Sequence, residues 1–264
     1  MWFSALLTGV TLLATAPATA NPSADQLIAK YVQRVGGMDK IQAVTTIRRS
    51  GKLTQTNGSE AVVVTESKRP NKLRQEFTLQ GMTAITAYDG TAGWKISPFQ
   101  GKKDPEALSE EEMKTMVDDS DVDDPLIGYQ EKGNKVEVLG KDDVEGTDTY
   151  KLRLTLKDGT ERTYYLDTDS GVPIKIETKR IIRGAPQETE QFLGDYKEVN
   201  GWYLPFAIET GAKGSSFHAK ITYEKIEANV PIDDHRFEMP KAAGGQTPPA
   251  PATRSGSVTL RDKD

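Results

Sequence analysis

Chemistry needs partnered side chains, and this sequence offers few. Its 264 residues hold two histidines and no cysteine. The missing cysteine removes a thiolate nucleophile, a disulfide framework and a cysteine metal site together. His218 alternates with Phe217 and Ala219, which aims it at the solvated face of a strand. His235 sits in the turn-like stretch "PIDDHRFEMP". No G-x-S-x-G elbow occurs, so a Ser-His-Asp set lacks its nucleophile. Both histidines are read as solvated surface groups. The acidic run "DDSDVDDP" (118–125) tests as a calcium loop from Asp119, with Asp121 and Asp123 at ligand offsets. The test fails where Asp124 replaces the required glycine and Gln130 replaces the bidentate glutamate. An acidic helix junction is the reading kept. Asp and Glu total 39, and no spacing singles out a glycosidase-type pair. The chain is therefore read as non-enzymatic, with no cofactor and no metal. A hydrolase of envelope polymers stays as a third reading.

Charge and targeting narrow the classes further. A net charge of -5 and a pI near 5.3 argue against nucleic acid as partner. "MWFSALLTGVTLLATAPATA" has an apolar core and ends in a small-x-small site at Ala18–Ala20, so residues 1–20 are expected to be a signal peptide. Asn21 follows where a lipid-anchored protein needs cysteine, so the mature chain is expected to be free and soluble. No later segment is long and apolar enough to span a bilayer.

The elements follow from periodicity. Leu27, Ile28, Tyr31, Val32 and Val35 form a helical stripe, capped by Ser23 or Asp25 and ended by Gly36-Gly37. From Val44 the period becomes two. Leu73, Phe77 and Leu79 alternate with charged residues, as do Leu152 and Leu154, and Trp202, Leu204, Phe206 and Ile208. Asn57-Gly58, Asp89-Gly90, Asp158-Gly159 and Asn200-Gly201 supply hairpin turns. The expected fold is mainly β with a helical lid: a curved antiparallel meander of roughly eleven strands, an incomplete β-barrel. A helical insertion near 104–132 opens with a capping box, Ser109 with Glu112, and a second short helix is expected from Asp124-Pro125. Residues 21–240 form the domain, and 241–264 a Pro/Ala/Gly-rich tail expected to be disordered, with a weak last strand at "SVTLRD". A curved sheet of this kind can be a packed core or a ligand cavity.

One ordered set of motifs shifts that balance. "KRPN" (68–71), then a strand, "AYDGTAGW" (87–94), "SPFQG" (97–101) and finally "IDDHRFEMP" (232–240) resemble the periplasmic lipoprotein carriers of the LolA/LolB-like superfamily. The resemblance spans roughly residues 23–240. It implies a half-open barrel that holds acyl chains and passes lipoproteins from an inner-membrane release complex to an outer-membrane acceptor. It implies a periplasmic location, and because a barrel with no long bare edge need not associate, a monomer is expected. It places a lid latch on Arg69. The wall residues expected on this basis are Leu73, Phe77, Leu79, Trp94, Ile96, Leu152, Leu154 and Trp202, and the lid residues Met113, Met116 and Val117. The runner-up reading is an envelope sensor or adaptor of the same fold that binds lipid or peptide and signals to a membrane partner.

Overall fold

Alternating residues punctuated by tight turns organise the chain into one continuous antiparallel sheet. The computed structural model describes residues 21–182 and 184–241. The expected leader and all but the first residue of the tail lie outside the described residues. Two helices come first, α1 (Ala24–Arg34) and α2 (Met38–Ala43). A first meander follows: β1 (Thr46–Gln55), β2 (Glu60–Lys68), β3 (Lys72–Leu79), β4 (Met82–Tyr88), β5 (Gly93–Ser97) and β6 (Lys102–Ala107). Helix α3 (Glu110–Asp119) then crosses to the second meander. That one runs β7 (Lys135–Val144), β8 (Thr147–Thr155), β9 (Glu161–Asp167), β10 (Pro173–Ile182), β11 (Ala185–Val199), β12 (Trp202–Ala212) and β13 (His218–Ala228). The strand order is β6-β5-β4-β3-β2-β1-β13-β12-β11-β10-β9-β8-β7, so the meanders meet at one seam, β1 against β13. The sheet is curved and open, with β6 and β7 as its edges.

Local chemistry explains most boundaries. Ser23 caps α1 through a reciprocal box with Gln26, and Ser109 caps α3 the same way with Glu112. All four expected Asn-Gly and Asp-Gly pairs fall between paired strands, and Asn200 and Gly201 both take positive φ, 53° and 81°. Thirteen strands are present among the described residues rather than eleven. One reason is that Lys102–Ala107 pairs as β6 and does not begin the lid; an edge strand tolerates its Pro105. The second expected lid helix is also absent: residues 125–133 form consecutive turns, with Asp124 and Gly128 at positive φ.

The two faces of the sheet are covered differently. On the inner face, Leu27, Ile28 and Tyr31 of α1 join Leu126, Ile127, Leu152, Leu154, Tyr164 and Leu166 in one buried cluster. Each such side chain contributes about 1.5–3 kcal/mol on burial. On the outer face, residues 232–238 lie as a strap. Glu66, only 2% exposed, accepts from Arg48 and from Arg236 of the strap. Arg74 donates to the Arg236 carbonyl at 2.7 Å, and the Trp94 indole donates to the Phe237 carbonyl at 2.7 Å. This corrects one expectation. Arg74 pairs with Glu66 and Ala87, and Ala87 with Trp94, so Trp94 shares the outer face with Arg74. Ile96, opposite Ile85, follows Glu76 to that face. Neither belongs to the inner wall with Leu73.

The seam between the meanders is tight. A β-bulge falls between Ser50 and Gly51, and a Cβ on Gly51 would stand 2.2 Å from the Thr222 carbonyl oxygen. Gly51→Val is expected to cost about 1–3 kcal/mol by forcing these backbones apart. Urea unfolding checks this; an unchanged midpoint would show that the seam accommodates a side chain.

Candidate functional site

The site is built where the β2–β3 turn meets the end of α2 and the segment after α3. The peptide Arg69-Pro70 is cis and sits in that turn. Arg69 Nε donates to the Val44 carbonyl at 2.7 Å, and Nη2 donates to the Ile41 carbonyl at 2.9 Å. Nη1 donates to Asp123 Oδ2 at 2.7 Å, and Nη2 reaches the other oxygen of the same carboxylate. One guanidinium fork thus holds three segments. The hydrogen bonds to Asp123 push the Arg69 pKa above its ordinary value, against partial burial.

Helix α3 closes over the inner face and is anchored along its length. Lys95 pairs with Glu112 at 2.6 Å, and Arg180 donates to Thr115 Oγ1 at 2.8 Å. Burial alone would raise the Glu112 pKa; the Lys95 ammonium and the Ser109 N–H and hydroxyl outweigh it and hold Glu112 at about 2. Met116 is buried against Leu73, Tyr88 and Leu108, and Met113 packs on the same cluster. Val117 points away: it is 46% exposed, so it does not share the apolar underside. The acids of the junction go to separate partners. Asp121 takes Lys132, Asp123 takes Arg69, and Asp124 accepts from the Tyr164 hydroxyl at 2.8 Å. Asp118 is pushed up to about 6, chiefly by burial and then by the charge of Asp158.

Two adjoining cavities of about 370 and 220 Å³ lie on the inner face; the cover borders the larger, and the smaller is lined by strands alone. Gln75, Ile221 and Tyr223 line both. Trp202 and Ile208 wall the larger, and Val63, Phe77 and Ala84 the smaller. Of the expected wall residues, then, Phe77 and Trp202 line the hollow. Leu73 lies under Met116, and Leu79 shares the parity of Leu73 and Phe77 at the end of its hairpin. Leu152 and Leu154 face inward but are fully buried in the main core, so that half of the sheet is filled by protein. The polar members of the wall, Arg49, Gln75 and Gln191, were missed. The alternation in "IRRSGKLTQ" carried the signal, because it sets Arg49 on the parity of Ile47 and Leu53. His235 is exposed and bonds Glu238, as expected of a surface histidine; His218 is not solvated as expected, for it bonds Glu209, packs on Phe192 and has its Nε2 buried without a hydrogen-bond partner.

A wide antiparallel sheet, open at its edges, with helices across one face and a hollow on that face, is a fold also seen in solved structures. The chain shares it with a Vibrio parahaemolyticus domain named for outer membrane lipoprotein sorting (TM-score 0.58, 12% identity, 81% of this chain and 97% of that one). It shares it also with a DUF1329 family protein from Desulfovibrio piger (TM-score 0.58, 12% identity, 81% and 97%). A LolA superfamily protein from Nitrosomonas europaea gives a TM-score of 0.54 at 12% identity over 83% and 98%. The resemblance carried by the Lys-Arg-Pro corner therefore holds at the level of the fold. No protein-family model and no curated protein sequence matches the chain.

Two outcomes follow from this geometry. Arg69→Leu is expected to cost about 2–3 kcal/mol, since it strands the Asp123 carboxylate and two carbonyls. Amide exchange should rise first in residues 38–44 and 110–124; a rise spread evenly over the sheet would contradict a local clasp. The second concerns Asp118. Its folded pKa of about 6 lies above the ordinary 3.8, so the folded chain holds an extra proton between those values. The stability it contributes is complete below the lower value and is lost as pH rises through the upper one. Asp118→Asn should flatten that slope and raise the Tm at pH 7; a steeper slope would contradict the assignment.

Proposed function

We propose that this protein is a periplasmic, non-enzymatic carrier that shelters acyl chains of lipids or lipoproteins in the hollow between sheet and helices. The observation that carries the reading is the cavity itself. It is walled by Phe77, Trp202, Ile208 and Ile221 and roofed by a segment that one side chain, Arg69, clasps. Burial of each methylene is worth about 0.8 kcal/mol, so a hydrocarbon tail has a large drive to enter. Release requires that opening the cover cost a comparable amount in the empty state. Met113 and Met116 suit the underside of such a cover, because methionine adapts to varied apolar surfaces. In this reading Arg69 is the latch, α3 and the segment through Asp123 the lid, and donor and acceptor are membrane assemblies on either side of the periplasm. The fold shared with a domain named for lipoprotein sorting supports it.

The test is to purify the protein natively, extract it with organic solvent and analyse the extract by mass spectrometry. Acyl-bearing molecules are expected in stoichiometric amount. Phe77→Asp should lose them, whereas Val62→Asp, on the outer face and 52% exposed, should retain them. An extract empty of acyl species from the unaltered protein would overturn the proposal.

A further inference from the structure

Among the described residues, the inner wall carries one cation without a hydrogen-bond or ion-pair partner. Arg49 lies in β1 and borders the larger cavity, beside Tyr223, Ile221 and Gln75. Its cross-strand neighbours on the inner face are neutral: Ile226 on β13 and Thr65 on β2, with Gln75 beyond Thr65 on β3. Among the described residues, none forms a hydrogen bond or an ion pair with its guanidinium. Every other arginine described near this region is engaged. Arg69 holds Asp123, Arg48 and Arg236 hold Glu66, Arg74 holds Glu76, and Arg162 reaches Asp119 at 3.5 Å. The acids that border the same cavity, Asp118, Asp119, Asp121 and Asp124, belong to the lid side. Arg49 also sits deep enough for burial to push its pKa below the ordinary arginine value. It stays protonated, because a guanidinium does not give up its proton in proteins. A desolvated, unpaired charge is costly to a fold. The arrangement becomes favourable when an anion arrives.

We infer that Arg49 is the head-group anchor of the cavity, and that the ligand is a single-chain amphiphile with a carboxylate head. The carboxylate would accept two parallel hydrogen bonds from the guanidinium fork. Gln75 stands where the two lobes join and offers a further donor, while Val63, Phe77 and Ala84 extend an apolar path for the tail. On the strand wall Arg49 is one positive charge among neutral neighbours, and Arg162, the other arginine bordering the cavity, faces Asp119, so one unpaired cation matches a monoanion. A phosphate dianion calls for more than one cation. Together the lobes fall within the range of about 300–1,000 Å³ usual for one small ligand, which suits one chain better than several. This inference rests on the carrier reading and narrows its cargo.

The experiment compares palmitate with hexadecanol, equal in chain and different in head, by displacement of a fluorescent acyl probe at pH 7.5. The unaltered protein should bind palmitate about tenfold more tightly, the value of one charge-assisted hydrogen-bond pair. Arg49→Gln should abolish the difference while leaving hexadecanol binding and the Tm unchanged or improved, and Arg49→Lys should restore most of it. Equal binding of acid and alcohol by the unaltered protein would overturn the anchor and leave the carrier standing. So would a loss of both ligands in a folded Arg49→Gln. Tighter binding of lysophosphatidic acid than of palmitate would overturn the carboxylate assignment. Failure of either ligand to bind the unaltered protein would overturn the carrier reading and the anchor together.

Discussion

A sheet that alternates apolar and polar residues over thirteen described strands must cover its apolar face, and three short helices and a run of turns are too little to fill it. Everything else in this molecule follows from that shortage. Over β8–β10 the cover suffices: α1 and the turn residues Leu126 and Ile127 meet Leu152, Leu154 and Tyr164 in a fully buried core. Toward β1–β3 and β11–β13 it does not, and the hollow remains there. The same face thus has a half filled by protein, which holds the fold, and a half that keeps a cavity.

Helix α3, unlike α1 and the later turns, is held chiefly by polar contacts at its ends and edges. Arg69 clasps Asp123 and two carbonyls, Lys95 clasps Glu112, and Arg180 takes Thr115. Beneath α3 the apolar contact is the small cluster around Met116. Ion pairs of this partly exposed kind contribute modestly and can be exchanged for water. In the carrier reading the part free to open is α3, because Leu126 and Ile127 tie the turns after it into the core on the other half of the sheet. The outer face has the opposite design, with Glu66 and Trp94 locked under a strap from the far end of the chain.

Much of this was legible in the residues themselves. The Asn-Gly and Asp-Gly turns, both capping boxes and the shared face of Leu73, Phe77 and Leu79 depend on neighbours within a few positions. What was illegible depends on distant ones. Alternation fixes that Trp94 and Lys95 point opposite ways, yet it does not say which way is in; that is decided by a strap 143 residues later, at Phe237, whose carbonyl takes the Trp94 indole. Leu152 and Leu154 were rightly placed inward, but only the packing of Leu126 and Ile127 makes them core instead of cavity. Arg49 was passed over because a charged residue at an apolar parity reads as noise until its lack of a partner is seen.

The central claim is that the hollow beside Trp202 takes a hydrocarbon tail. A chain starting at Asn21 has Trp94 and Trp202 as its tryptophans, one on each face of the sheet. Titration with a fatty acid brominated along its tail tests the claim directly, since bromine quenches an indole it touches. With Trp94→Phe, the emission of Trp202 should fall saturably, and with Trp202→Phe that of Trp94 should hold steady. Quenching of neither, or of both alike, would contradict the account.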